Sequence, residues 1–381
     1  MAHLVARPRT TITSSQASLA ERNTFSYDYE GVGVAYSRLY FSRSTYASHR
    51  LQIEGPPRPT RSTEPRCFSL PTPNMTSPSP ASSAKPAFWR IQNIKISERE
   101  AATEWLLSQT KEVAISEGQG FSLAADGERT LCATLTSHEC RKPNKRSWRV
   151  DKDFIGFTPL SDPDGANLDI VAVTGLGGHA LGSFRSADGT SVWLLDFAPE
   201  DVPRARFITY GYDTAVVASD SNQGIRELAH TLLDELTEFR RSTQTQQRSL
   251  LFVCHSLGGV VLKEALVMSS KATEPKQKDW LEVVKVTYGL VFMGVPNLGL
   301  RHSQLETVVR GQANEAFIKD LLVKSDGQAS QFLKYLTREF ADLDRRRSLP
   351  FDIISYYETV SSPTIVVSMP SVTPIKSYSS N

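Results

Sequence analysis

The sequence predicts an α/β protein, a doubly wound and mostly parallel sheet with a small N-terminal α+β unit attached. Three observations carry that prediction. Five short runs, LDIVAVT (168–174), RFITYGY (206–212), SLLFVC (249–254), YGLVFMG (288–294) and FDIISYY (351–357), are almost continuously apolar. Strands buried on both faces read this way, because neither face meets water. Helical patterns separate the runs. Ile225, Leu228, Ala229, Leu232, Leu236 and Phe239 recur at spacings of three and four, and so give one apolar face to a helix near 223–241. Val260, Val261, Ala265, Leu266 and Met268 do similar work after SLLFVC. Strand and helix alternate in this way from 168 to 357, as parallel strands joined by crossovers must.

Ahead of the sheet the chain changes character twice. Residues 1–86 hold 10 of the 21 prolines, 14 serines, 10 Lys+Arg and 5 Asp+Glu, a charge of +5 against −3 for the remainder. From Gly55 to Pro86 there are nine prolines in 32 residues. Such a stretch has too little apolar content to offset chain entropy and is expected to be a disordered leader. Order is expected from Ala87. FWRIQNIKI (88–96) reads as a strand, Ser97-x-x-Glu100 as a capping box opening a helix through Trp105 and Leu106, and FSLAAD (121–126) and TLCATLT (130–136) as two strands around a DGER turn. This β-α-β-β unit over 87–150 precedes a main domain over 151–368. TIVVS (364–368) reads as a last strand, and 369–381 as an irregular tail that supplies no closing helix for the sheet.

Composition excludes several classes. Apolar residues make up 40% and charged residues 22%, with a net charge of +2, so overall balance indicates no nucleic-acid binder. Phe88 and Trp89 are not followed by the aromatic strand of an RNA-binding sheet, and RKPNKRSWR (141–149) reads as a solvated loop. No run of 18 apolar residues exists to span a membrane. Four cysteines in 381 residues make no disulfide scaffold, and no apolar signal segment opens the chain, which predicts a reducing, intracellular setting. Cys132, His138 and Cys140 give C-x5-H-x-C without a fourth ligand, and Cys132 falls in an apolar strand pattern. No metal and no cofactor are expected.

The chemistry sits where SLLFVC runs into His255-Ser256-Leu257-Gly258-Gly259 and a helix follows at once. A strand–turn–helix of this kind is a nucleophile elbow, in which the serine takes a strained conformation and the positions two away must be small. Gly258 meets that demand, while Cys254 stands where glycine is usual. Acyl transfer also needs oxyanion donors, and the Leu257 N–H follows the nucleophile directly. The second donor is expected from the loop Thr174-Gly175-Leu176-Gly177-Gly178-His179, as the Leu176 N–H with Gly177 as the near alternative. Gly175-x-Gly177-x-x-Ala180 also matches a dinucleotide fingerprint, but LGSFRSADGT, with two glycines and an Asp-Gly turn, stands where that motif's helix should begin.

These blocks together, LDIVAVTGLGGH, RFITYGYDT, LLFVCHSLGGVVLKEAL, GLVFMGVPNLG and YYET, resemble the serine-active-site-containing protein family, lipase-like α/β-hydrolases with fungal members often fused to nucleotide-binding, receptor-like modules. The resemblance runs over about 88–367. It implies an α/β-hydrolase fold, Ser256 as nucleophile, Gly175–Gly178 as oxyanion loop and Glu358 as the acid; Asp213, which precedes the nucleophile, is the weaker candidate. It further implies a lipid or acyl-ester substrate, and peripheral association with mitochondrial or endoplasmic-reticulum membrane. The family places its histidine beyond the acid. Here the seven histidines are His3, His49, His138, His179, His230, His255 and His302, and none follows Glu358. Two functions are therefore expected: a serine hydrolase of the lipase/esterase kind, weakened by the missing base and apparently truncated before it, or a catalytically dead hydrolase fold used as a sensing or interaction module.

Overall fold

A computed structural model describes residues 4–7, 86–110, 120–143, 145–186, 191–214, 223–273, 277–300, 309–324, 326–347 and 351–358. The strands are β1 (Leu4–Arg7), β2 (Ala87–Lys95), β3 (Phe121–Ala125), β4 (Thr130–Ser137), β5 (Arg149–Asp151), β6 (Gly156–Ser161), β7 (Leu168–Val173), β8 (Ala205–Gly211), β9 (Ser249–His255), β10 (Thr287–Met293) and β11 (Asp352–Glu358). The helices are α1 (Arg99–Thr110), the single turns α2 (Trp193–Asp196) and α3 (Ala198–Asp201), α4 (Ile225–Ser242), α5 (Leu257–Ser270), α6 (Lys278–Val286), α7 (Glu315–Leu321) and α8 (Gln331–Arg346). The TIVVS run, the tail after it, most of the leader and His302 lie outside the described residues.

The main sheet has the order β1-β11-β10-β9-β7-β8-β6, with β8, β7, β9, β10 and β11 parallel and the two edge strands antiparallel. Why its strands read as unbroken apolar runs follows from their two faces. Val171, Val173, Ile208, Tyr210, Leu250, Phe252 and Cys254 enter one core, while the alternate residues Ile170, Ala172, Phe207, Leu251 and Val253 enter another. Helices α4, α5, α6 and α8 cover the first face. The second is covered by residues 180–186 and 191–202 and by Phe88, and its cover thins at β10, where Val291 and Met293 are half-buried.

Chain order places the site. From β7 the chain moves one way to β8 and then returns to the other side of β7 to form β9. The carboxyl ends of β7 and β9 therefore flank a topological switch point, where adjacent loops part and leave a crevice. Helix α4 makes the return. Its apolar stripe Ile225, Leu228, Ala229, Leu232, Leu236 and Phe239 is buried, Glu227 accepts the Gly224 N–H at 3.0 Å at the start, and Arg240 and Arg241 complement the dipole at the end. At the opposite end of the sheet the fully buried Asp169 of β7 receives Arg206 of β8 at 2.8 and 2.9 Å, Arg240 of α4 at 2.5 Å and Arg248 at 3.0 Å.

The small sheet has the order β3-β4-β2-β5, all antiparallel, with α1 packed on one face. It takes in Arg149–Asp151, so its last strand crosses residue 150. The N-terminal cap also differs from the expected Ser97–Glu100 box. A 3-10 turn over Ile96–Glu98 precedes α1, and Glu98 accepts both the Lys95 N–H at 3.3 Å and Trp148 Nε1 at 2.9 Å. Within the segment expected to be disordered, Leu4–Arg7 pairs antiparallel with β11, whose open edge offers a row of unpaired backbone groups. Arg90 docks the small sheet on the large one. It is 4% exposed, and it reaches Asp151 at 3.0 Å, the Ile155 carbonyl at 2.8 Å and Thr158 Oγ1 at 3.1 Å.

Candidate active site

Ser256 sits between β9 and α5 at φ 51° and ψ −124°. An L-residue adopts that backbone only where the surroundings over-determine it, at a cost of about 1–3 kcal/mol. Three contacts impose it. The Ser256 N–H donates to the Met293 carbonyl of β10 at 2.9 Å, and the Gly259 N–H returns to the Ser256 carbonyl at 3.1 Å. Gly258 lies so close to the end of β7 that a Cβ there would stand 2.3 Å from the Thr174 carbonyl oxygen. Cys254 is tolerated on the strand side because its side chain turns into the helical core, where burial pushes its thiol well up and keeps it inert.

The loop 174–179 runs beside the serine. A Cβ on Gly175 would stand 2.7 Å from the Ser256 Cβ, so only glycine brings this backbone to the nucleophile. The Gly177 N–H donates to the Thr214 carbonyl at 2.8 Å and the Gly178 N–H to the Gly175 carbonyl at 3.0 Å. Gly177, the near alternative as oxyanion donor, is thus spent on Thr214. The Leu176 N–H makes no hydrogen bond among the described residues. Leu257 is the first residue of α5, so its N–H lies outside the helix's own ladder. Ser256 is half-buried, and its hydroxyl has no partner among the described residues.

Glu358 ends β11, two strands from β9. Tyr356 is in register with Met293, which is in register with His255, and the Gly294 N–H donates to the Tyr356 carbonyl at 2.9 Å. The acid's backbone therefore lies at the same end of the sheet as Ser256 and the glycine loop. Asp213, the weaker candidate, is exposed just past β8.

Among the described histidines, His255 ends β9 beside Gly175, where an added Cβ would stand 3.2 Å from its Nδ1, while His179 and His230 are held by partners elsewhere. His179 Nδ1 accepts the N–H groups of Leu181 at 3.1 Å and Gly182 at 3.0 Å, which leaves Nε2 to donate to the Lys152 carbonyl at 2.9 Å. Its ring stacks on Phe88 and meets Phe154 edge-on. His230 pairs with Asp234 at 3.1 Å on the outer side of α4, against Trp280. His138 is exposed in the small unit. Cys132 is fully buried in β4, and no group of three metal-ligating side chains occurs among the described residues. Trp148 is buried rather than presented by its basic loop.

Sequence reasoning missed three residues around the site. Tyr212 donates to the Thr174 carbonyl at 3.0 Å, and Thr214 Oγ1 donates to the Gly178 carbonyl at 2.8 Å. Lys263, on α5, donates to Asn297 Oδ1 in the turn after β10, with its ammonium 4.6 Å from the Phe292 ring centre and 5.3 Å from that of Phe340. Burial there pushes its pKa down to about 8. Only Asp213, beside Tyr212 and Thr214 in the YGYDT block, was a signal for this neighbourhood.

Residues 171–325, which hold the glycine loop and Ser256, match the family described as "Putative serine esterase (DUF676)". Protein SERAC1 of Bos taurus is 25% identical over 221 residues, covering 53% of this chain and 31% of that protein, and Protein SERAC1 of Danio rerio is 24% identical over 231 residues, covering 56% and 33%. The chain thus spans about a third of the length of these curated relatives. Among solved structures, Bacillus licheniformis lipase BlEst2 matches with a TM-score of 0.30 and 19% identity over 52% of this chain and 70% of that one. Inhibited esterase B from Lactobacillus rhamnosis matches with a TM-score of 0.31 and 11% identity over 68% of this chain and 72% of that one. Over residues 171–325, which supply the central strands of the main sheet, the chain is thus similar to a family described as putative serine esterases.

Proposed function

We propose that this chain binds an acyl ester at the switch point between β7 and β9 and takes its acyl group on Ser256. The observation that carries this is the strained Ser256 beside Gly175, with the Leu176 N–H unbonded among the described residues and the Leu257 N–H outside the ladder of α5. The Ser256 oxygen would attack the ester carbonyl as its proton passes to a base, the two N–H groups would receive the oxyanion, and the ester C–O bond would break with that proton delivered to the departing alcohol. Glu358 would orient a base. Half-buried Leu176 and the 75% exposed Leu298, in the turn after β10, support an apolar acyl part. The same reading carries peripheral association with mitochondrial or endoplasmic-reticulum membrane; no helix among the described residues is long and apolar enough to cross one.

A second reading, a non-catalytic hydrolase fold that senses or binds, is favoured by one observation: His179 and His230 are tied to other partners. A serine site without its histidine keeps only about 10³–10⁴-fold acceleration over water. Fluorophosphonate labelling separates the two. The first reading expects covalent labelling that Ser256→Ala abolishes with circular dichroism unchanged; a folded chain that takes no label supports the second.

A further inference from the structure

We propose that Thr214, assisted by Tyr212, is the positioning residue that sets the oxyanion strap 175–178. The inference rests on the reading of Ser256 as nucleophile and goes beyond it, because neither residue touches the reacting atoms.

A strap with glycine at three of its four positions has no stiffness of its own, and an oxyanion donor works only if its direction is fixed before the charge appears. Thr214 fixes it from the end of β8. Its carbonyl accepts the Gly177 N–H and its hydroxyl donates to the Gly178 carbonyl, both at 2.8 Å, so one residue brackets the strap in both directions. Tyr212, two residues earlier and 7% exposed, holds the root of the strap through the Thr174 carbonyl. On the other flank Gly175 is pressed against Ser256. Leu176 lies between a residue fixed by steric contact and one fixed by hydrogen bonding. The bracket also decides which N–H serves: it occupies Gly177 and leaves Leu176 open. Thr214 is itself half-buried, so a hydrophobic isostere would fill its place without carrying the bond to Gly178.

The test uses the full chain and the variants Thr214→Val, Thr214→Ser and Tyr212→Phe, with two readouts. One is the second-order rate of Ser256 labelling by a fluorophosphonate. The other is hydrogen exchange at the Gly177 amide in ¹⁵N-glycine-labelled protein, which needs no activity. The bracket predicts a slow Gly177 amide in the wild type and faster exchange in Thr214→Val. It predicts a labelling rate lowered about 10- to 100-fold in Thr214→Val, the range expected for a misdirected oxyanion donor. Thr214→Ser should restore both, with the melting temperature of all variants near that of the wild type. Unchanged exchange and unchanged labelling in Thr214→Val would overturn the proposal. If the wild type takes no label, the nucleophile reading falls, and the Gly177 exchange alone decides whether Thr214 holds the strap.

Discussion

At the scale of single residues, the site is a set of close approaches that exclude side chains. Gly175 is the sharpest case. Alanine there would put its Cβ 2.7 Å from the Ser256 Cβ and 3.0 Å from the His255 carbonyl oxygen, and neither atom can retreat without moving the elbow. Gly175→Ala is expected to destabilise the chain by about 1–3 kcal/mol, the usual cost of overpacking, and to reduce Ser256 labelling far more than that loss of folded protein explains. Denaturant titration and labelling kinetics on the same sample check both. The elbow and the glycine loop were legible in the sequence because each is a contiguous motif with its own conformational demand. Tyr212 and Thr214 were not, because their bonds to Thr174 and Gly178 span 38 and 36 residues and leave no local pattern.

At the scale of elements, the five buried strands and α4 fall within one or two residues of where periodicity puts them. Edge strand β6 escaped, since GFTPLS carries a proline and little alternation, as an edge permits. The capping acid was read as Glu100 where Glu98 does the work, because a 3-10 turn shifts the start by two residues. The turn between β3 and β4 carries a consequence for stability. Asp126 there has its pKa raised to about 6 by burial, against the opposing pull of Arg90. Between about pH 4 and about pH 6 the folded chain holds a proton that the unfolded chain has released, so this group makes stability fall as pH rises through that window. Asp126→Asn should therefore raise the melting temperature by about 2–5 °C at pH 7 and leave it nearly unchanged at pH 4. An equal shift at both values would contradict the assignment.

At the scale of the whole molecule, the two ends of the main sheet do different work. The carboxyl end is open, strained and rich in glycine, while the amino end is locked by Asp169, which joins β7, β8, α4 and the turn before β9 through three arginines. Asp169→Asn would leave the buried guanidinium groups of Arg206 and Arg240 without their paired carboxylate, while Arg248 keeps Asp162 at 3.6 Å. A loss of about 3–5 kcal/mol is expected, read by urea titration, with Ser256 labelling of the remaining folded fraction close to wild type. The most direct test of the account is where a fluorophosphonate comes to rest on the folded chain. The account predicts one adduct per molecule, mapped by peptide mass spectrometry to Ser256 and absent in Ser256→Ala. A folded chain that carries no adduct, or carries it on another residue, would contradict it.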